Sequence, residues 1–167
     1  MEYFFDPNYM DIFIKLAVAT FLGMLLGVER LYAHKTASMR TYALVSMGAS
    51  MFILISTTIV GKYMNNANFD PLRMAAQIIS GAGFLGAGMI IFQEKKLTGI
   101  TTAAGLWVSA GIGMACGFGL YTLAIFGTIL TLFIFSVLWV IEERLRKITF
   151  ISRSDAHPEH PSETESV

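Results

Sequence analysis

Apolar residues run along this chain in long blocks, and the charged ones fall between the blocks. The first block spans residues 12–28 and stops at the charged pair Glu29-Arg30. The second spans 42–61. The third opens at Pro71, a favourable first helical position behind Asp70 as cap, and reaches residue 92. The fourth spans 100–116, a Gly117-Phe118-Gly119 break follows, and the fifth spans 120–141. A bilayer core about 30 Å thick needs about 20 apolar helical residues to cross it. The pattern therefore predicts an all-α fold, a polytopic transmembrane bundle of about five helices. Residues 1–11 form a short extracytoplasmic N-terminus, 12–141 the helical domain, and 142–167 a basic and then disordered cytoplasmic tail. No charge marks the turn at 117–119, so four crossings with one long broken segment stand as the alternative.

Composition agrees. Charged residues make up 14% of the chain and hydrophobic ones 54%, against roughly 25% charge in a soluble domain. Net charge is zero, so no global field points to nucleic acid. The single cysteine, Cys116, lies in an apolar block and permits no disulfide within the chain. The start of the chain carries Glu2, Asp6 and Asp11 without Lys or Arg, unlike a cleavable signal, and the first block is expected to remain as an anchor. Loop charge sets orientation. With the N-terminus outside and the C-terminus inside, the cytoplasmic side receives Arg30, Lys35, Arg40, Lys95, Lys96, Arg144, Arg146, Lys147 and Arg153. The outer loops receive Lys62, while Lys15 and Arg73 lie just inside outer helix ends, where they can snorkel.

Ionisable groups at membrane depth cost about 2.5–3.5 kcal/mol each at mid-helix, so they are candidate functional groups. The third block carries Arg73, Gln77 and Ser80 at i, i+4, i+7, one helix face, with Asp70 three residues before Arg73 as a candidate ion-pair partner. This stripe reads either as a ligand or ion pathway or as interhelical hydrogen-bonding glue. The same block continues with Gly81, Gly83, Gly86 and Gly88. Such glycines make a close-packing face, or a broken helix offering backbone groups to a substrate. Gly23 and Gly27 form a GxxxG pair with Thr20 on the same face, suited to packing within the chain or across a dimer. Glu29 and Arg30 read as an interfacial salt bridge that ends the helix, or as a carboxylate held at the inner face for a cation. Arg40, beside Thr41, is an interface anchor or a member of a polar cluster with Glu29. Thr101 and Thr102 can cap the fourth helix or bond back to it, and Trp107 lies deeper than an aromatic belt usually does, in a packing role.

HExxH, CxxC, P-loop and GxSxG patterns are all missing from the sequence, which gives no support to an enzyme. His34 is the one histidine expected to be ordered, and His157 and His160 fall in the polar tail. No metal site can be assigned.

Taken in order, these motifs resemble the MgtC/SapB family of bacterial membrane proteins. The resemblance rests on Gly23-Met24-Leu25-Leu26-Gly27-Val28-Glu29-Arg30, then Arg40-Thr41-Tyr42-Ala43-Leu44-Val45-Ser46, then the run from Asp70 to Gly81 with Gly83-Phe84-Leu85-Gly86-Ala87-Gly88, and finally Gly99-Ile100-Thr101-Thr102-Ala103-Ala104 with Leu106-Trp107. It covers about residues 12–141. It implies an inner-membrane protein with a periplasmic N-terminus that supports growth at low magnesium and survival inside macrophages. The best-known member is regarded as a regulator that restrains the proton-driven ATP synthase, although the family was long labelled as magnesium transport. That member continues into a soluble ACT-type domain, where a short polar tail is expected here.

The expected role is therefore adaptation to low Mg²⁺ through modulation of membrane energetics, with no cofactor. The expected partners are the bilayer, a second copy of the chain, and another membrane protein such as the ATP synthase. A transporter or channel for Mg²⁺ or another small solute is the first alternative, and a structural subunit of a membrane complex the second. Mg²⁺ dehydrates reluctantly and is held through carboxylates. Each end of this bundle offers essentially one ordered acid, Glu29 or Asp70, with an arginine close by.

Overall fold

A computed structural model describes residues 7–33, 35, 37–63, 70–93, 96–142, 144 and 145. The chain divides into two units, 1–132 and 133–167. The first contains α1 (Pro7–Tyr32), α2 (Met39–Tyr63), α3 (Pro71–Gly88), a β-hairpin of β1 (Ile91–Gln93) and β2 (Lys96–Thr98), α4 (Ile100–Gly117) and the greater part of α5 (Tyr121–Phe133). In the second, the helix continues through a π-helical turn at Ile134–Leu138 and on to residue 142.

All five predicted helices are present, and their ends carry corrections. Glu29-Arg30 does not stop α1, which runs on to Tyr32. The two side chains pair with each other, so neither charge has to leave the helix to be satisfied. The third helix ends at Gly88 rather than 92, because Ile91 and Phe92 pair in an antiparallel hairpin with Thr98 and Leu97. Gly99 then opens α4 at φ +89, and a Cβ there would strike the Met89 carbonyl oxygen, so only glycine fits the joint. The break at 117–119 is a true helix end: Gly119 has φ +77, its N–H bonds Cys116 O at 2.9 Å, and the Leu120 N–H bonds Ala115 O at 2.8 Å. That is the 6→1 and 5→2 pairing of a glycine-terminated helix, and α4 and α5 are separate helices. Glu2, Asp6, His34, His157, His160 and the tail from 146 lie outside the described residues.

Contacts fix the register of the helices. Gly27 lies against the Met39 backbone, Gly23 against Tyr42 and Ser46, and Ser46 Oγ donates to Ala19 O at 2.7 Å. Residue numbers fall along α1 as they rise along α2, so the two are antiparallel. Between α2 and α4 the partners are Tyr42 with Ser109, Ser46 with Gly113, and Ser50 with Gly117, a constant offset of 67 positions. These helices are parallel and in register over at least two turns. α3 returns between them. Gly86 meets Ala103, and Ala82 shares a buried cluster with Ala110 and Ala49, so α3 is antiparallel to α4.

Four helices are long and apolar enough to cross a membrane: Tyr9–Tyr32, Met39–Val60, Ile100–Gly117 and Tyr121–Glu142. α3, with Arg73, Gln77, Ser80 and its glycines, does not reach that apolarity.

Candidate functional site

Several buried polar residues gather where α1, α2 and α4 meet. Arg30, 3% exposed, directs its Nε to the Glu29 carboxylate one residue earlier. Tyr42, fully buried at the start of α2, lies within electrostatic reach of both charges and donates its hydroxyl to Thr102 O at 3.2 Å. Ser109 Oγ donates to Tyr42 O at 2.9 Å. A side chain of α2 is thereby tied to the backbone of α4, and a side chain of α4 to the backbone of α2. Below this cluster the helices approach so closely that a Cβ on Gly113 would overlap the Ser46 carbonyl, and one on Gly117 would come within 2.9 Å of Ser50 O.

The sequence places small residues for this seam. Gly105, Ser109, Gly113 and Gly117 recur every four positions along α4, and Tyr42, Ser46 and Ser50 do so along α2. Sequence reasoning gave no packing role to Tyr42, Ser46, Ser109, Gly113 or Gly117, although it read Gly117 as a helix break. The four-residue recurrence was the signal that could have found them.

Of the residues singled out from sequence, Glu29, Arg30 and Thr102 come together in this cluster. Arg40 is exposed and Thr41 half-buried, and neither shares an ion pair with Glu29 among the described residues. Thr101 is exposed and caps nothing; α4 begins at Gly99 with no side-chain cap. Trp107 is half-exposed rather than packed in the core. Gly23 and Gly27 are spent on α2 within the chain. Thr20 bonds back to Leu16 O at 2.7 Å.

The polar stripe of α3 lies elsewhere. Asp70 caps the helix, its Oδ1 accepting from the Leu72 N–H at 2.9 Å. No ion pair joins Asp70 to Arg73; the carboxylate serves the helix end, and Arg73 points outward. Gln77 and Ser80 are exposed. Of the four glycines, Gly86 packs on Ala103, while added Cβ atoms at Gly81, Gly83 and Gly88 would meet nothing within 4 Å. Among the described residues, Gln77 is the one strongly polar side chain on a groove of about 610 Å³ between α2 and α3, walled by Gly48, Phe52, Gly81, Phe84 and Ala110 among others.

Among the described residues, no three His, Cys, Asp or Glu side chains stand close enough to hold a metal ion. Cys116 is free and buried. The hydroxyls and carbonyls of the cluster bind helices to one another, and among the described residues no nucleophile is paired with a base.

An α-helical bundle whose helices are apolar outside, and are joined inside by glycine contacts and hydroxyl bonds, is a polytopic membrane protein. The chain belongs to the MgtC family, whose sequence model matches residues 16–144. It is 45% identical over 119 residues to Protein MgtC of Salmonella typhimurium LT2, covering 71% of this chain and 48% of that protein. It is 37% identical over 142 residues to "Putative magnesium transporter YhiD" of Escherichia coli K12, covering 81% of this chain and 64% of the relative. A Haemophilus influenzae protein without assigned function is 38% identical over 132 residues, 77% and 56% of the two chains. The chain thus spans about half to two thirds of the length of these curated relatives. No solved structure matches it.

Proposed function

We propose that this chain is a five-crossing protein of the bacterial inner membrane, N-terminus outside, that adapts the cell to low magnesium by modulating membrane energetics and not by carrying the ion. Length and apolarity suit α1, α2, α4 and α5 to crossing, and the register adds α3 as the fifth. Parallel α2 and α4 require the chain to return through the same thickness between them, and α3, antiparallel to α4, makes that return. At about 1.5 Å per residue its 18 residues span about 27 Å, close to the apolar core of a bilayer.

The observation that carries the modulator reading is that the acids of the described helices are already engaged and that most of the buried hydroxyls bond backbone, Ser50 and Ser56 being the exceptions. Glu29 is paired with Arg30, Asp11 with Lys15, and one carboxylate oxygen of Asp70 is given to a helix cap. Tyr42, Ser46 and Ser109 bond backbone across helices that glycines hold in contact. A hydrated Mg²⁺ ion needs oxygen ligands that are not already taken and room for its waters. The target of modulation is a proton-driven machine of the same membrane, the ATP synthase, and the same action would serve survival inside macrophages. No step of this role is catalytic.

Inverted membrane vesicles test the reading. ATP synthesis driven by an imposed proton gradient should run slower in vesicles containing the protein than in matched vesicles without it. Equal rates at equal gradients would remove the modulator role. The name carried by YhiD favours a second reading, a magnesium transporter.

A further inference from the structure

We infer that the outward face of α3 is the surface on which two copies of this chain pair, side by side and parallel, about a twofold axis normal to the bilayer. The inference rests on the reading that α3 crosses the membrane.

The face has the spacing of a two-helix seam. Asp70, Arg73, Gln77, Ser80, Phe84 and Ala87 alternate steps of three and four, and all six are exposed in the single chain. That 3.5-residue repeat keeps one stripe of a helix against a parallel neighbour. Gly81 and Gly88 flank the stripe, and nothing of their own chain lies within 4 Å of a Cβ built there. Small residues left open in this way admit a neighbouring backbone. Phe84 is 80% exposed beside the groove between α2 and α3, whose wall is cut back at Gly48 and Gly81. The GxxxG pair of α1 is consumed within the chain, so a dimer needs another face.

In a single copy this face would turn Gln77 and Ser80 toward lipid, where nothing accepts or donates hydrogen bonds, while Arg73 near the helix end could reach the interface. The chemistry of the stripe identifies the occupant as a second copy. A glutamine amide is both donor and acceptor, and a parallel twofold pair puts Gln77 opposite Gln77 at one depth, where each satisfies the other. At the outer end, Asp70 uses Oδ1 for its own cap and keeps Oδ2 for Arg73 of the partner subunit. Charges one turn apart on the same face are complementary across such an axis. The apolar groove then receives Phe84 of the partner subunit.

Cysteine cross-linking in native membranes tests this in the full chain carrying Cys116→Ala. Gln77→Cys and Phe84→Cys should each give a disulfide-linked dimer, since the bond needs Cβ atoms about 3.8 Å apart. Ile79→Cys, on the opposite side of α3, and Leu123→Cys on α5 should not. Gly81→Leu added to Phe84→Cys should abolish the cross-link while the protein still accumulates, because a Cβ at 81 meets nothing of its own chain within 4 Å and the side chain has the groove to enter. In detergent, Gln77→Leu should weaken dimerisation about tenfold, the size of one interhelical polar contact. Three results overturn the proposal. If neither cysteine cross-links and both resist a water-soluble maleimide, lipid covers the face. If they cross-link to a different protein, the partner is foreign. If both react with the maleimide, α3 lies outside the bilayer, and the crossing itself fails along with the dimer.

Discussion

At the scale of single residues, glycine and serine decide how close α2 and α4 come. A glycine against a backbone carbonyl and a glycine facing open space are the same letter in the sequence, and they predict opposite effects. Gly113 is packed on the Ser46 carbonyl, whereas a Cβ at Gly111, two residues earlier, would meet nothing within 4 Å. Gly113→Ala must push the helices apart and should cost about 3 kcal/mol, the upper end for overpacking. Gly111→Ala should stabilise by about 0.5–1 kcal/mol, because alanine loses less backbone freedom in a helix. Thermal unfolding in detergent reads both, and equal shifts would contradict the α2–α4 register. Sequence alone separated these two poorly. It drew attention to Gly23 and Gly27, where the spacing is short and familiar, and missed the longer ladder through Ser109. Charged Glu29 and Arg30 were legible, since an ionisable pair inside an apolar block stands out. Tyr42 was not, because its importance lies in a contact with Thr102, 60 positions away.

At the scale of elements, the apolar blocks gave the number and order of the helices because burial in a bilayer demands long uninterrupted runs. The ends were less legible. A charged pair satisfied by itself did not end α1, and the β-hairpin at 91–98 was hidden in what read as the last turn of α3 and a loop. Asp70 was read correctly as a cap. The predicted pair with Arg73 is not formed, since one carboxylate oxygen is given to the Leu72 N–H and the arginine extends outward. Asp70→Ala should therefore cost about 1 kcal/mol of stability in detergent, the usual worth of an N-cap. Arg73→Ala should leave stability unchanged under conditions that keep the protein monomeric. A loss for Arg73→Ala equal to that for Asp70→Ala would restore the intrachain ion pair and count against the capping account.

For the whole molecule, the parallel α2 and α4 make α3 the informative helix. It is too polar to qualify as a crossing by composition, yet the register requires it to return the chain through the same thickness. Cysteines placed singly at Tyr3 and Asn66 in a Cys116→Ala background should react with an impermeant reagent in intact cells, and those at Lys35 and His160 should not. Reaction at His160 would reverse the orientation of the last helix. The central claim is that this bundle acts in magnesium adaptation without carrying the ion. Its most direct test is purified protein in liposomes loaded with a magnesium-sensitive dye, under an imposed gradient and potential. The account predicts Mg²⁺ entry no faster than into empty vesicles. Saturable entry that disappears in Glu29→Gln or Asp70→Asn would contradict it and make the protein a transporter.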